Sequence, residues 1–151
     1  MAALPQLPRH TLLVLGDGPE RAALRDLAER LGVADRVRLL GSQPHDRLSL
    51  YYGAADAMVL ASSREGWANV LLESMACGTP WWPAPPGAAA KRCGPRGRPG
   101  DGRDHPEAIA ASVRQLLDAP PSRAATRAYA EGFGWDETTA GQVSLFRKVL
   151  A

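Results

Sequence analysis

Three short apolar runs, each followed by a segment with helical spacing, constrain the fold of this chain most. The runs are TLLVL at 11–15, RVRLL at 36–40 and DAMVLA at 56–61. The first run, TLLVL, is continuously apolar, which is typical of a strand that is buried on both faces, as in a parallel sheet. Three repeats of strand and helix therefore predict an α/β fold, in which a Rossmann-like parallel sheet is flanked by helices.

The helical segments are recognised by apolar residues three and four positions apart. In the first of them this pattern covers 24–31 and ends at Gly32. Pro19 is placed in the first turn of that helix, with Asp17 or Gly18 near its cap. Trp135 is expected to anchor the last helix in the core. The later helices are expected at 46–55, 68–77, 106–117, 123–131 and 135–150.

Shifts in composition divide the chain into four segments. An N-terminal tail at 1–10 precedes the core at 11–80, and the helices at 105–151 belong to the same domain. Between them, 81–104 is rich in Pro, Gly and Arg and shows no periodic pattern, so it is predicted to be irregular. A basic tail that binds nucleic acid is the alternative for this segment. No nucleic-acid-binding motif accompanies it, and we predict no nucleic-acid partner.

The composition is that of a soluble globular protein, with 45% apolar residues, 23% charged residues and a net charge of +2. The first ten residues lack the basic start and apolar stretch of a signal peptide, and no apolar run approaches the ~20 residues of a membrane span. The two cysteines favour a reducing compartment over a disulfide framework. We therefore expect a cytoplasmic protein without a transmembrane segment.

The stretch EGWANVLLE at 65–73 carries a carboxylate at each end of an apolar segment. Gly66 allows a tight turn, which places Glu65 at the carboxyl end of the third strand, where open α/β sheets bind ligands. Glu73 lies on an apolar helix and needs hydrogen-bond donors there, because an unpaired buried carboxylate is costly. Vicinal sugar hydroxyls would satisfy it, and the helix start between the glutamates suits a diphosphate. The pattern thus indicates a nucleotide-sugar site.

A purely structural alternative exists for this pair, in which Glu65 is solvated and Glu73 forms an ion pair with an arginine. Ser63, two positions before Glu65, is placed to contact a bound donor. No general base is in view for it, so a nucleophilic role is not predicted. The three histidines show no metal-ligand spacing, and no metal site is predicted.

Several motifs in order resemble the retaining GT-B glycosyltransferases of family 4, also called group 1. They are LLVLGDGPER, RVRLLG, LSLYYGAADAMVLASSREG and EGWANVLLESMACGTP, followed late in the chain by GWDETTAGQ. The similarity covers 11–80 strongly and 104–150 weakly. It implies the second, donor-binding domain of a GT-B fold, present in an incomplete form, with 11–80 as its nucleotide-sugar-binding core.

The resemblance also implies a role for individual residues. Glu65 would be the catalytic glutamate that contacts the donor hexose, and Glu73 would hold the ribose hydroxyls. No cofactor and no bound metal are implied for the diphosphate, which the helix start and basic side chains would stabilise instead. The remaining donor-binding residues implied are Gly66, Trp67, Asn69, Val70 and Leu71 around the helix start, Ser63 before it, and Gly16, Asp17, Val37 and Leu40 near the base.

The activity implied is retaining transfer of a hexosyl group from a nucleotide-diphosphate sugar to a glycan or lipid acceptor, as in polysaccharide biosynthesis. Family members have two Rossmann-like domains, so an N-terminal acceptor domain is an expected partner, in a separate chain if necessary, and the isolated chain is expected to be inactive. Peripheral contact with the inner membrane surface is left open. The alternatives are a non-catalytic nucleotide-sugar-binding fragment or inactive remnant, and a generic α/β interaction domain.

One departure from the family pattern follows CGTP, where members continue with a valine-rich strand and a Gly-Gly loop. This chain continues with WWPAPPGAAAKRC. Two GTG valine codons that are followed by a codon beginning with G, read one base later, give TGG TGG, which encodes Trp-Trp. We therefore hypothesise a frameshift near Pro80 that is restored close to Asp101. The alternative is that Trp81 and Trp82 begin an unusual strand.

Overall fold

The structure, a computed structural model, describes residues 1–60, 69–82 and 105–150. Strands and helices alternate through the first half, and helices follow. The α/β class with parallel strands flanked by helices is confirmed. The strands are β1 (Leu12–Leu15), β2 (Val37–Gly41), β3 (Met58–Val59) and β4 (Trp81–Trp82); the helices are α1 (Arg21–Arg30), α2 (Leu48–Ala54), α3 (Asn69–Ala76), α4 (Pro106–Asp118), α5 (Arg123–Glu131) and α6 (Trp135–Val149); short 3₁₀ turns lie at Leu4–Gln6, Ala34–Arg36 and His45–Arg47.

The four strands form two parallel pairs within the described residues. β1 pairs with β2, starting from Leu12 opposite Val37, and β3 pairs with β4, with Met58 opposite Trp81. Each pair is joined by a connection that contains a helix, as parallel strands require. The two tryptophans are thus part of a strand, as the alternative to a frameshift proposed, and not of the irregular segment. Residues 83–104 lie outside the described ranges, and the frameshift stays a prediction about the gene.

The β1–β2 pair ends at two glycines with left-handed backbone conformations. Gly16 has φ 121° and Gly41 has φ 71°. The Gly16 N–H donates to the Gly41 carbonyl at 2.8 Å, and a register shift after Val14 accompanies this contact. Glycine adopts these φ values without a side-chain clash, so both strands can turn sharply at their carboxyl ends.

The N-terminal segment is part of the core and not a tail. Leu4 and Leu7 are three residues apart on a 3₁₀ turn, so both face inward, where α1 and α4 supply further buried residues. The guanidinium of Arg36 holds this segment in place by donating to the carbonyls of Leu7 at 2.8 Å and His10 at 3.0 Å. The buried core cluster is Ala3, Leu4, Leu7, Ala28, Val33, Ala110 and Val113.

Two further predictions about the helices differ from the structure. α1 begins at Arg21, so Pro19 lies outside it, and Asp17 accepts a hydrogen bond from the Gly18 N–H at 3.0 Å instead of capping the helix. The prediction that Trp135 anchors the last helix is wrong, because its side chain is 80% exposed. An indole at the first position of α6 has no neighbouring element to cover it among the described residues.

Candidate functional site

The site is built around α3, which presents Glu73 in its second turn. Leu71 and Met75 are buried and fix the helix against the body of the domain, while Glu73 is half-buried between them. The first four N–H groups of any α-helix have no partner within the helix. Asn69, Val70 and Leu71 therefore offer backbone donors at the helix start, and the Asn69 side chain is exposed.

Glu73 is oriented by a tyrosine from a different helix. The Tyr52 hydroxyl donates to Glu73 Oε2 at 3.2 Å, and Tyr52 lies in α2. Burial, together with the negative charge of Glu73 and the hydrogen bond to it, raises the pKa of Tyr52 to about 12. The phenol therefore stays protonated at neutral pH and remains a donor to the carboxylate.

The other carboxylate oxygen, Oε1, has no hydrogen bond to any described residue. The one ion pair within the described ranges joins Arg21 to Asp17, at 3.9 Å, so no described arginine neutralises Glu73. A carboxylate offers about four lone-pair sites to donors, and the tyrosine uses one of them. Glu73 thus keeps most of its acceptor capacity for a ligand.

The C-terminal end of α3 is fixed by α5. Gly78 ends α3 with φ 80°, and Arg123 lies directly against it. The Arg123 guanidinium donates to the carbonyls of Gly53 and Ala55, at 2.9 and 2.8 Å, which ties the end of α2 to the same place. Arg127 donates to the Ala76 carbonyl at 2.7 Å. These bonds hold α2 and α3 together, and with them Tyr52 and Glu73.

The residues predicted near the base do not all share one end of the sheet. Gly16, Asp17 and Leu40 lie at or next to the carboxyl ends of β1 and β2. Val37 lies at the opposite, amino end of β2, opposite Leu12. Four residue steps at ~3.3 Å each separate it from Gly41, at the other end of the strand. The role of these residues at the base stays a prediction from the sequence.

Four predicted site residues, Ser63, Glu65, Gly66 and Trp67, lie outside the described residues. The catalytic role of Glu65 therefore stays a prediction from the sequence. Sequence reasoning missed Tyr52, because no local pattern links two residues 21 positions apart. The available signal was a tyrosine in the last turns of the helix that precedes β3.

Nowhere in 1–60, 69–82 or 105–150 do three or more His, Cys, Asp or Glu side chains gather in a way that could hold a metal ion. No helix in these ranges combines the length and the apolar character that a membrane span needs.

The chain as a whole matches a known family. The model of the family described as glycosyl transferases group 1 matches residues 1–133. D-inositol 3-phosphate glycosyltransferases are similar in sequence: the protein from Thermobispora bispora is 38% identical over 99% of this chain and 38% of its own length. The one from Acidothermus cellulolyticus is 42% identical over 88% of this chain and 30% of its own length. The chain thus spans well under half the length of these relatives.

Solved structures show the same fold. Sucrose-phosphate synthase from Thermosynechococcus elongatus superposes with a TM-score of 0.75 at 25% identity, over 99% of this chain and 41% of that protein. The pneumococcal O-GlcNAc transferase GtfA, solved with UDP and GlcNAc, superposes with a TM-score of 0.70 at 26% identity, over 98% of this chain and 31% of that protein. The Rossmann-like GT-B architecture, in an incomplete form, is confirmed by these matches.

Proposed function

This chain belongs to the group 1 glycosyltransferases, and on that premise we propose that it binds the nucleotide-sugar donor for retaining transfer of a hexosyl group. The acceptor class proposed is a glycan or a lipid. The observation that carries the proposal is the half-buried carboxylate of Glu73. Tyr52 orients it through Oε2, and Oε1 has no hydrogen-bond partner among the described residues.

A ribose would donate hydrogen bonds to this carboxylate. The two vicinal hydroxyls of a ribose are both donors, and a carboxylate can accept from both at once. Hydrogen bonds to a charged acceptor are stronger than neutral ones, and a preoriented acceptor loses less entropy when the ligand binds. Tyr52 thus acts as a positioning residue that holds the Glu73 side chain ready for the sugar.

The diphosphate would lie at the start of α3. Its negative charge is favoured there by the free N–H groups of Asn69, Val70 and Leu71 and by the positive end of the helix dipole. In the transition state, charge develops on the leaving diphosphate, so the same N–H groups would lower the barrier. We propose that no metal is needed, and that Glu65 contacts the hexose.

The rest of a two-domain enzyme would supply the acceptor site. The chain spans 38% of the Thermobispora relative, and the described apolar side chains of α6 are exposed, among them Phe146 at 61%. An apolar helix face of this kind is typical of a surface that another domain covers. We therefore propose an N-terminal acceptor domain as partner. Nucleotide-sugar binding without transfer is the second candidate for the chain by itself, because it spans so little of its relatives.

Donor binding is tested by calorimetric titration of the chain with UDP- and GDP-sugars, with and without EDTA. We expect Glu73→Ala to weaken binding of the preferred donor by about a hundredfold or more, since two charged hydrogen bonds of ~1.5 kcal/mol or more each are lost. EDTA should change nothing. Glu131→Ala removes an exposed carboxylate of α5 and serves as the control. Equal affinity of Glu73→Ala and the wild type would refute the ribose role.

Transfer is tested separately, by measuring release of the nucleoside diphosphate when the N-terminal region of a relative is added in trans or fused. Turnover that depends on both parts and on Glu65 supports the enzyme. Donor binding without turnover in any combination supports the binding fragment.

A further inference from the structure

A groove between α1 and β2 is lined by three arginines and by no carboxylate. Arg21 and Arg25 come from α1, and Arg38 comes from β2. Ala28, Val37 and Leu39 contribute apolar surface. The groove has a volume of about 280 Å³, close to the lower end of the range for small-molecule sites, which is ~300 Å³.

The three positive charges are only partly compensated. Arg21 lies 3.9 Å from Asp17 and donates to the Leu39 carbonyl at 2.9 Å, so its place is fixed. Arg38 donates to the backbone carbonyl of Asp35 at 2.7 Å. Arg25 has neither an ion pair nor a hydrogen bond to any described residue. Arg21 and Arg25 are four positions apart on one helix, where like charges repel, and a bound anion would relieve that repulsion.

The groove is separate from the site around Glu73. It runs along β2 from Leu40, at the carboxyl end, to Val37 and Ala34 at the amino end. No residue of α2 or α3 lines it. Leu40 and Val37 were predicted near the base, but the arginines around them suit an anion better than a neutral heterocycle. Guanidinium groups bind phosphate through paired hydrogen bonds, and their weak hydration favours this in a partly apolar setting.

We propose that this arginine groove is a second ligand site that binds a phosphate group, independently of the donor site. The phosphate belongs either to a small soluble phosphate monoester or to a lipid headgroup that is itself a phosphate monoester, as in phosphatidic acid, because both present the same group to the arginines. This site would place the domain at a phosphorylated partner while the Glu73 site holds the donor.

The test follows the arginine side-chain signals and backbone amides of the 151-residue chain by NMR during titration with inorganic phosphate. Arg25→Gln/Arg38→Gln removes the two exposed groove charges, while Arg21 is kept because it holds β2. Arg30→Gln, on the same helix but outside the groove, is the matched control. We expect the double variant to bind phosphate at least about tenfold more weakly, and Arg30→Gln and Glu73→Ala to bind like the wild type.

Vesicles of phosphatidylcholine with or without phosphatidic acid distinguish the two sources of phosphate. A lipid headgroup is assigned if the wild type co-sediments with the acidic vesicles and the double variant does not. Groove shifts with phosphate but no vesicle binding assign a soluble phosphate ester. The proposal is overturned if the double variant and Arg30→Gln bind phosphate equally. It is also overturned if the phosphate shifts are confined to residues 69–72 and persist in the double variant, since the anion would then occupy the helix start of the donor site.

Discussion

At the scale of single residues, the pair Tyr52–Glu73 decides whether a carboxylate on an apolar helix can be tolerated without a ligand. A neutral phenol donates a hydrogen bond without bringing a positive charge, so it stabilises the carboxylate without neutralising it. An arginine in the same place would have satisfied the carboxylate and also consumed its capacity to bind hydroxyls. A tyrosine at this position is therefore consistent with a site that binds a neutral, hydroxyl-bearing group.

This pair leads to a prediction about alkaline pH. The pKa of Tyr52 is raised to about 12 in the folded chain, from the usual value of 10.0. A raised pKa means that the protonated phenol stabilises the fold fully below pH 10, and that this contribution is lost as the pH rises towards 12. Titration of tyrosinate absorbance should show a late phenol that Tyr52→Phe lacks. Glu73→Gln should lower the pKa of Tyr52, because it removes the negative charge beside the phenol, and Tyr51→Phe is the control. A titration curve whose alkaline end is the same in Tyr52→Phe and the wild type would contradict the contact.

At the scale of elements, the contact between α3 and α5 holds the site together, and Gly78 is where it is tightest. A Cβ at Gly78 would lie 3.0 Å from the Cβ of Arg123 and 3.1 Å from its carbonyl oxygen. The backbone there is also left-handed, with φ 80°. Both features require glycine, and neither neighbouring atom is the free end of a flexible side chain.

We therefore expect Gly78→Ala to destabilise the fold by at least about 2 kcal/mol, from left-handed strain and displacement of α5 together. Urea unfolding measures this as a lower midpoint with an unchanged slope. Gly53→Ala is the matched control, because Gly53 lies within α2 and a Cβ there would meet nothing within 4 Å. It should be neutral or stabilising by up to about 1 kcal/mol. A midpoint for Gly78→Ala equal to that of Gly53→Ala would contradict the packing described.

The elements were largely predictable from sequence because their signals are local. Apolar runs and glycine stops located β1, α1 and α3, and α5 begins and ends where predicted. The errors arose where distant residues decide. The first ten residues were predicted to be a tail, because the sequence does not show that Arg36 binds their carbonyls. Trp135 was predicted to be a core residue, because a sequence does not show which helix face is covered. The Tyr52 contact and the arginine groove depend on tertiary packing for the same reason.

At the scale of the whole molecule, α6 is the element that the rest of the described chain leaves most exposed. Phe146 is 61% and Leu150 is 86% exposed, and Trp135 at the start of the helix is exposed as well. Large apolar side chains clustered on one helix are unusual on the surface of an isolated domain. The relatives are more than twice as long as this chain, so a further domain in them is available to cover such a face.

Without that cover, the chain should associate with itself, since burial of apolar surface contributes ~25 cal/mol per Å². We expect sedimentation velocity to show a weight-average mass that rises with protein concentration. Phe146→Gln/Leu150→Gln should reduce this rise, because it removes two large apolar side chains while the helix persists. Leu50→Gln, which changes a leucine that is 70% exposed on α2, should leave it unchanged. If both variants associate like the wild type, the α6 face is not the contact. Because no hydrogen bond among the described residues joins α6 to Glu73, donor affinity should be the same in monomer and oligomer, which separates this association from the binding proposed above.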